Sequence, residues 1–234
     1  MWCRLKLLKS LIICSVVLIS AFAWAAPRQH VITFGQWMRV KLFIGPEENK
    51  VEEMKVRTLV VDGKLREFVT GDPHDVTDRV FVARRAYRLN DALPEDGKLR
   101  PEWKWQRGGW VMVDRSSGRV SQLNLPDFDP FYSTASWYRD YVAYCGISGG
   151  ADRLYAVVYQ LGFRKPVLHE SIGKANLGDV PDAVCAAPAW QKQPARVTFE
   201  PLGSQKVSFT IHGHASELQP AQGEEEEPSQ PQPQ

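Results

Sequence analysis

Residues 55–70 read Lys-Val-Arg-Thr-Leu-Val-Val-Asp-Gly-Lys-Leu-Arg-Glu-Phe-Val-Thr, and this stretch decides the fold class. Two runs rich in β-branched and apolar residues flank the dipeptide Asp62-Gly63. Both residues of that dipeptide suit the left-handed backbone of a type I′ turn. The stretch therefore predicts a tight β-hairpin with strands over 55–61 and 64–70.

Similar short runs, separated by turn residues, recur on both sides of this hairpin, and no convincing helical period comes before residue 130. They predict strands over 30–44, 79–89, 119–125, 141–147, 153–161, 197–199 and 206–212. The runs 141–147 and 153–161 are apolar on both faces, so we expect them at the centre of a sheet. Single helical turns are expected over 133–139 and 182–190. The predicted fold is mainly β: one domain, built as an antiparallel sandwich or a propeller-like meander.

A second hairpin is predicted over Trp103–Asp114, with Gly108-Gly109 as its two-residue turn. Pairing about that turn puts six residues on one face: Trp103, Trp105, Arg107, Trp110, Met112 and Asp114. Aromatic rings stack on sugars, peptides and other π-faces, and an adjacent guanidinium supplies hydrogen bonds. Trp103, Trp105, Arg107 and Trp110 are therefore the predicted binding residues. The alternative is that they form the core side of the hairpin, with Arg107 stacked on Trp110.

The first 25 residues have the composition of a secretory signal peptide. Arg4, Lys6 and Lys9 precede the apolar run 11–22, which ends in the triplet Ala23-Trp24-Ala25. The run is shorter than the ~20 apolar residues of a spanning helix, so we expect cleavage after Ala25. A secreted or periplasmic location follows, and membrane contact is expected only if the signal stays uncleaved.

The mature chain divides into a β domain over 26–214 and a disordered acidic tail over 215–234, which is rich in Pro and Gln. The tail holds five glutamates and no Lys or Arg, whereas the domain holds 26 basic and 22 acidic side chains. A net charge of +4 is too small to indicate nucleic-acid binding, so no nucleic-acid partner is expected.

Two cysteines, Cys145 and Cys185, lie outside the predicted signal peptide. In an oxidising compartment they most simply form one disulfide, which would close a loop of 40 residues. The chain-entropy relation assigns such a cross-link about 4 kcal/mol. Two free buried thiols, or two ligands of an incomplete metal site, are the alternatives.

Gly146-Ile147-Ser148-Gly149-Gly150 matches the G-x-S-x-G pattern of a hydrolase nucleophile elbow. Asp179 or Asp182, followed by His212 or His214, would complete a Ser–Asp–His order. An elbow needs a strand–turn–helix context, however, and the upstream region predicts hairpins. We therefore favour a Gly-Gly hairpin at this position and keep a secreted serine hydrolase as the alternative function.

Other polar residues are weaker candidates. His212 and His214 lie on one face of a predicted strand, where His169, Glu170 or His74 would add a third zinc ligand. Asp127 and Asp129 lack the ligand spacing of a calcium loop, and turn chemistry accounts for them. Arg84, Arg85 and Arg88 are interpreted as a solvated strand edge. No metal, cofactor or catalytic residue is predicted.

The runs Gly-Asp-Pro-His-Asp-Val-Thr-Asp-Arg (71–79) and Ser-Trp-Tyr-Arg-Asp-Tyr (136–141) resemble segments of uncharacterised secreted bacterial proteins rich in β structure. That resemblance implies no activity and no site. The predicted function is an exported, non-catalytic binding or structural module of the cell envelope. Its expected partner is an envelope polymer or an envelope protein.

Overall fold

The computed structural model describes residues 30–42, 52–90, 103–148, 153–175, 177 and 183–211. These residues form fourteen strands and no helix, which confirms the mainly β prediction. The predicted signal peptide (1–25) and acidic tail (215–234) lie outside the described residues.

Three sheets contain the strands. The first consists of β1 (Ile32–Phe34), β2 (Met38–Leu42), β3 (Glu52–Val61), β4 (Lys64–Asp75), β5 (Val80–Asn90), β6 (Trp103–Asp114) and β7 (Arg119–Leu123). The second consists of β8 (Ser136–Tyr138), β9 (Tyr141–Ile147), β10 (Arg153–Gln160) and β11 (Leu168–Lys174). The third consists of β12 (Ala189–Gln191), β13 (Arg196–Phe199) and β14 (Val207–Thr210).

The hairpin around Asp62-Gly63 forms as predicted. Strands β3 and β4 pair from Val61 and Lys64 outward, and both turn residues have a positive φ, 52° at Asp62 and 73° at Gly63. This is the backbone of a type I′ turn, whose twist matches that of the strands beside it. The Asp62 carboxylate also accepts hydrogen bonds from the Val31 amide (3.0 Å) and the His30 ring (2.7 Å), which fastens the start of β1 to the turn.

Five strands of the first sheet, β2 to β6, pair in a closed ring. Antiparallel pairing joins β2 to β3, β3 to β4, β4 to β5 and β5 to β6, and a parallel bridge between Leu42 and Trp105 joins β6 back to β2. All five strands of this ring send apolar side chains into one core: Val40, Leu42, Met54, Val56, Phe68, Ala86 and Trp105. The ring core therefore depends on a contact between strands more than 60 residues apart in the chain.

The opposite face of four of these strands, β3 to β6, builds a second core. Phe68 faces the ring, whereas the next residue, Val69, packs with Leu59, Phe81, Ala83, Val111 and Val113. Successive residues of a strand point to opposite faces, so one sheet serves both cores. Strands β1 and β7 supply Ile32, Phe34 and Val120 to cover this second core.

The predicted hairpin within Trp103–Asp114 is wrong, because β6 is a single strand of twelve residues that pairs with β5 along its length. Gly108 and Gly109 lie opposite the single residue Arg85, which makes them a β-bulge. A Cβ on Gly108 would lie 2.6 Å from the Tyr87 ring and 2.9 Å from the Arg85 Cβ. Glycine is thus required here for the close approach of β5.

The bulge nevertheless preserves the predicted grouping of six β6 residues on one face. Because it adds one residue to β6, the alternation of faces is reversed beyond it. Trp103, Trp105, Arg107, Trp110, Met112 and Asp114 consequently pair with alternate residues of β5, namely Asn90, Arg88, Ala86, Arg84, Val82 and Val80. The six residues share one face, although no turn brings them there.

The second sheet is an antiparallel meander, and β9 and β10 are its two central strands, as predicted. One face packs against β13 and β14 in a core that includes Ala143, Ala156, Val197 and Phe199. Cys145 and Cys185 form the predicted disulfide within this core, and their Cα atoms are 6.2 Å apart. The other face, which includes Trp137 of β8, packs against Leu125, Phe128 and Ala135.

The expected helical turns are wrong in the residues described there, because strands β8 and β12 lie in those segments. Ser136 and Trp137 pair with Ala143 and Val142 of β9, and Trp190 pairs with Val197 of β13. Aromatic residues fit a pleated sheet surface, and tertiary pairing here outweighed the local helical pattern.

The turn after β6 carries a carboxylate whose charge matters for folding. Asp114 accepts hydrogen bonds from Arg79 at 2.6 and 3.0 Å and from the Ser116 amide at 2.8 Å. The Arg79 guanidinium, and then the Ser116 donors, hold the pKa of Asp114 well below its ordinary value. A lowered folded pKa contributes stability above the ordinary carboxyl pKa, and the contribution is lost as the pH falls below about 4.

We therefore expect Asp114→Asn to weaken the acid dependence of unfolding below about pH 4. The measurement is the urea midpoint as a function of pH. Asp72→Asn is the matched control, since Asp72 is 94% exposed and lies 3.8 Å from its partner Arg57. If Asp114→Asn and Asp72→Asn weakened the pH dependence of the urea midpoint equally, the role assigned to Asp114 would be contradicted.

Candidate binding surface on the first sheet

The four predicted binding residues share the face of β6, but two different structures cover parts of that face. Trp105 is 7% exposed and packs inside the closed ring of strands. The centroid of its indole lies 5.0 Å from the centroid of the Phe68 side chain. Trp110 is also 7% exposed and packs edge-on against Trp137 of β8, at a centroid distance of 5.2 Å. These two tryptophans follow the alternative interpretation, in which the aromatic face serves as core.

Trp103 remains in contact with solvent. It is 45% exposed at the start of β6, and the Arg88 guanidinium lies 4.0 Å above its ring centroid. Arg88 also lies 5.7 Å from the Phe68 ring centroid, so its charged group sits between two aromatic side chains. A stacked guanidinium keeps its in-plane N–H groups free to donate hydrogen bonds.

The sequence predicts one solvated strand edge for three arginines, but the structure gives them different surroundings: Arg84, Arg85 and Arg88. Arg85 points to the other face of β5, where its Nε lies 3.0 Å from Glu67 and its guanidinium 4.7 Å from the Tyr87 ring centroid. Arg88 and Arg84 face the same side as the tryptophans. The alternation of a strand predicts this division, but the partners of Arg88 depend on the pairing of β5 with β6.

Arg107 lies on the Trp103 face, four residues farther along β6, which corresponds to about 13 Å in an extended strand. Its guanidinium is 3.8 Å from the Glu52 carboxylate, and the two side chains are 36% and 41% exposed. An ion pair of this exposure contributes little to stability. Arg107 is therefore a half-exposed cation on the surface rather than a stacking partner of Trp110.

Arg84 has backbone partners that the sequence did not indicate. Its Nη2 donates to the carbonyl oxygens of Pro130 (2.8 Å) and Ser133 (3.4 Å), and its Nε donates to that of Gly108 (3.4 Å). Burial, and then the nearby charge of Arg107, lowers the pKa of Arg84 to about 10. The residue joins the first sheet to the segment before β8.

Ser148 follows directly after β9, and the next described segment, which begins at Arg153, is the antiparallel strand β10 rather than a helix. The Ser148 amide donates to the Arg153 carbonyl at 3.3 Å, as expected for a hairpin. The strand–turn–helix geometry of a nucleophile elbow is therefore missing from the described part of this segment. Gly149, Gly150, Asp179, Asp182, His212 and His214 lie outside the described residues, so the hydrolase alternative stays a prediction.

The remaining histidine candidates lie in separate places. His169 Nε2 is 2.8 Å from the Asp127 carboxylate, and its ring stacks on Tyr155. His74 Nε2 is 2.7 Å from the Arg139 carbonyl oxygen, and its ring stacks on Trp137. Asp129 accepts from the amides of its own turn, at Phe131 and Tyr132. The described residues contain no cluster of three or more His, Cys, Asp or Glu side chains that would hold a metal ion.

His169 also lies too far from Ser148 to act as its base. His169 pairs with Val157 of β10, whereas Ser148 is level with Arg153, four residues away along the same strand. That separation is about 13 Å, well beyond the hydrogen-bond distance that proton transfer requires.

Comparison with known proteins returned no matching family model, no similar curated protein and no similar solved structure. The resemblance of residues 71–79 and 136–141 to secreted bacterial proteins therefore stays a prediction. Within the described ranges, no helix has the length and apolar character needed to cross a membrane.

Proposed function

We propose that this chain is an exported, non-catalytic binding or structural module of the cell envelope, and that it holds its partner on the Trp103–Arg88 pair. The observation that carries the proposal is the exposed Trp103 ring with the Arg88 guanidinium stacked on it at 4.0 Å. The expected partner is an envelope polymer or an envelope protein. The secreted or periplasmic location remains part of the proposal, and the disulfide is consistent with it.

The chemistry of the pair supports recognition of a ligand with a flat apolar face and polar edges. The open part of the indole offers apolar area to a sugar ring or a peptide side chain. The guanidinium beside it offers hydrogen-bond donors at the rim of the same contact. Trp and Arg are also the residues that contribute most often to binding hot spots.

The position of the pair supports the proposal further. Trp103 and Arg88 belong to β6 and β5, which are neighbouring strands of the closed ring. Side chains on paired strands keep their geometry better than side chains on loops, so less conformational entropy is lost on binding. Phe68 packs against the buried Trp105, and its ring centroid lies 5.7 Å from the Arg88 guanidinium, which helps to hold Arg88 in place.

We expect the purified chain to co-sediment with bacterial cell-envelope fractions, tested as wall and membrane separately. Trp103→Ala should weaken this capture about tenfold or more, because truncating a hot-spot tryptophan typically removes 2 kcal/mol or more of binding free energy. The melting temperature of this variant should stay close to that of the wild type, since Trp103 is 45% exposed.

Trp37→Ala is the matched control. Trp37 is 42% exposed and also carries a stacked arginine, Arg57, at 4.2 Å from its ring centroid. Capture should be unaffected by this substitution. Equal capture of the wild type and Trp103→Ala, or an equal loss in both tryptophan variants, would refute the assignment of the site.

A further inference from the structure

Several arginines of the first sheet and its turns combine an aromatic contact with a carboxylate contact. Three of them have the guanidinium 4.2–4.7 Å from an aromatic ring centroid. The same three side chains have a nitrogen 2.7–3.8 Å from a carboxylate oxygen, in the pairs Arg57–Asp72, Arg85–Glu67 and Arg115–Asp75. The aromatic ring covers the flat face of such a guanidinium, and the carboxylate compensates the charge at its edge.

Arg88 has the aromatic contacts without the carboxylate. Its guanidinium lies 4.0 Å from the Trp103 ring centroid and 5.7 Å from the Phe68 ring centroid. Among the described residues, none forms a hydrogen bond or an ion pair with its N–H groups. The side chain is exposed, so these donors are available to a ligand from solvent.

The surroundings of Arg88 match a small ring better than a protein surface. Trp105 and Trp110, on the same face of β6, are each only 7% exposed, whereas Trp103 is 45% exposed. A stable protein–protein interface buries roughly 800 Å² on each partner around an apolar centre of several side chains. A single half-exposed indole beside a charged group instead corresponds in size to one sugar ring. We therefore favour a sugar over a protein as the partner.

We propose that the ligand of the Trp103–Arg88 pair is an acidic sugar unit of an envelope polymer. Its ring lies on the Trp103 indole, and its carboxylate or phosphate group accepts hydrogen bonds from Arg88. A planar guanidinium donates two parallel hydrogen bonds to two oxygens of either anion. The ligand thus gives Arg88 the partner that Asp75 gives Arg115. This inference deepens the proposed function and rests on it.

The test is an NMR titration of the purified chain with sodium glucuronate, glucose 6-phosphate and glucose, at constant ionic strength maintained with sodium chloride. The readouts are the indole N–H signal of Trp103 and the Nε–H signal of Arg88. We expect both signals to shift saturably with an acidic sugar, at an affinity about fivefold or more above that for glucose. Saturation by glucuronate alone identifies a carboxylate ligand, by glucose 6-phosphate alone a phosphate ligand, and by both the shared chemistry.

Two substitutions separate the roles of the pair. Arg88→Gln should remove the preference for the acidic sugar over glucose, because the indole stays in place while the charge is lost. Trp103→Ala should weaken the binding of every sugar. Arg115→Gln is the matched control, since Arg115 is 39% exposed, stacks on Phe81 and already pairs with Asp75. The control should leave the preference unchanged.

Equal affinities for glucose and both acidic sugars, or no saturable shift with any of them, would overturn the acidic ligand. An equal loss of preference in Arg88→Gln and Arg115→Gln would do the same. Tighter binding of N-acetyltyrosine, which carries a carboxylate and the ring of a peptide side chain, would replace the sugar by a peptide. None of these results contradicts envelope capture through Trp103, which the co-sedimentation experiment measures separately, so failure of the acidic ligand and failure of the proposed function are distinguishable.

Discussion

Replacing Cys145 and Cys185 together by alanine should lower the free energy of unfolding by about 4 kcal/mol. The cross-link closes a loop of 40 residues, and its removal restores conformational entropy to the unfolded chain. Both cysteines are also buried, at 0% and 2% exposure, in the core between the second and third sheets. The double substitution leaves neither of these two positions with an unpaired thiol, so the effect reports the cross-link and its two sulfur atoms alone.

Urea denaturation measures this loss, and the reduced wild-type chain provides the control. Reduction by dithiothreitol removes the cross-link but keeps the sulfur atoms in the core, so any additional loss in the alanine variant belongs to packing. We expect most of the effect in the reduced wild type. Identical urea midpoints for its oxidised and reduced forms would contradict a stabilising disulfide.

Gly108→Val should destabilise the fold by about 3 kcal/mol, whereas Gly109→Val should change its stability by less than about 1 kcal/mol. A Cβ at Gly108 meets the Tyr87 ring at 2.6 Å and the Arg85 Cβ at 2.9 Å, so a larger side chain forces β5 and β6 apart. A Cβ at Gly109 meets no heavy atom within 4 Å. Neither glycine has the positive φ of a type I′ turn.

The two glycines act as controls for each other, because they are adjacent and receive the same substitution. Chemical denaturation of both variants distinguishes the bulge from the hairpin that the Gly-Gly dipeptide suggests. In a two-residue turn both positions require a left-handed backbone, so both valines would be strongly destabilising. An equal loss at 108 and 109 would therefore argue for a turn and against the continuous strand β6.

The dipeptides Asp62-Gly63 and Gly108-Gly109 differ in how well the local sequence predicts their structure. At Asp62-Gly63 the turn is decided by the φ preferences of two adjacent residues, and the structure has the predicted type I′ turn there. At Gly108-Gly109 the same local chemistry is compatible with a turn or a bulge. The choice depends on Tyr87 and Arg85 of β5, about 20 residues earlier in the chain.

The candidate site shows the same division. The grouping of Trp103, Trp105, Arg107 and Trp110 on one face could be predicted, because it depends on the alternation of side chains along β6. Which of them reach solvent could not be predicted. Closure of the ring buries Trp105, and packing of β8 buries Trp110, leaving Trp103 exposed beside Arg88.

The sequence by itself determined the mainly β class, the Asp62-Gly63 hairpin, the central strands β9 and β10 and the pairing of Cys145 with Cys185. These features follow from local backbone preferences, from the two-residue period of strands and from the presence of two cysteines outside the predicted signal peptide. Only the tertiary structure decided the Leu42–Trp105 bridge, the bulge in β6 and the contacts of Arg88 and Arg84. Each of these depends on register between residues distant in the chain, and local preferences carry no information about that register.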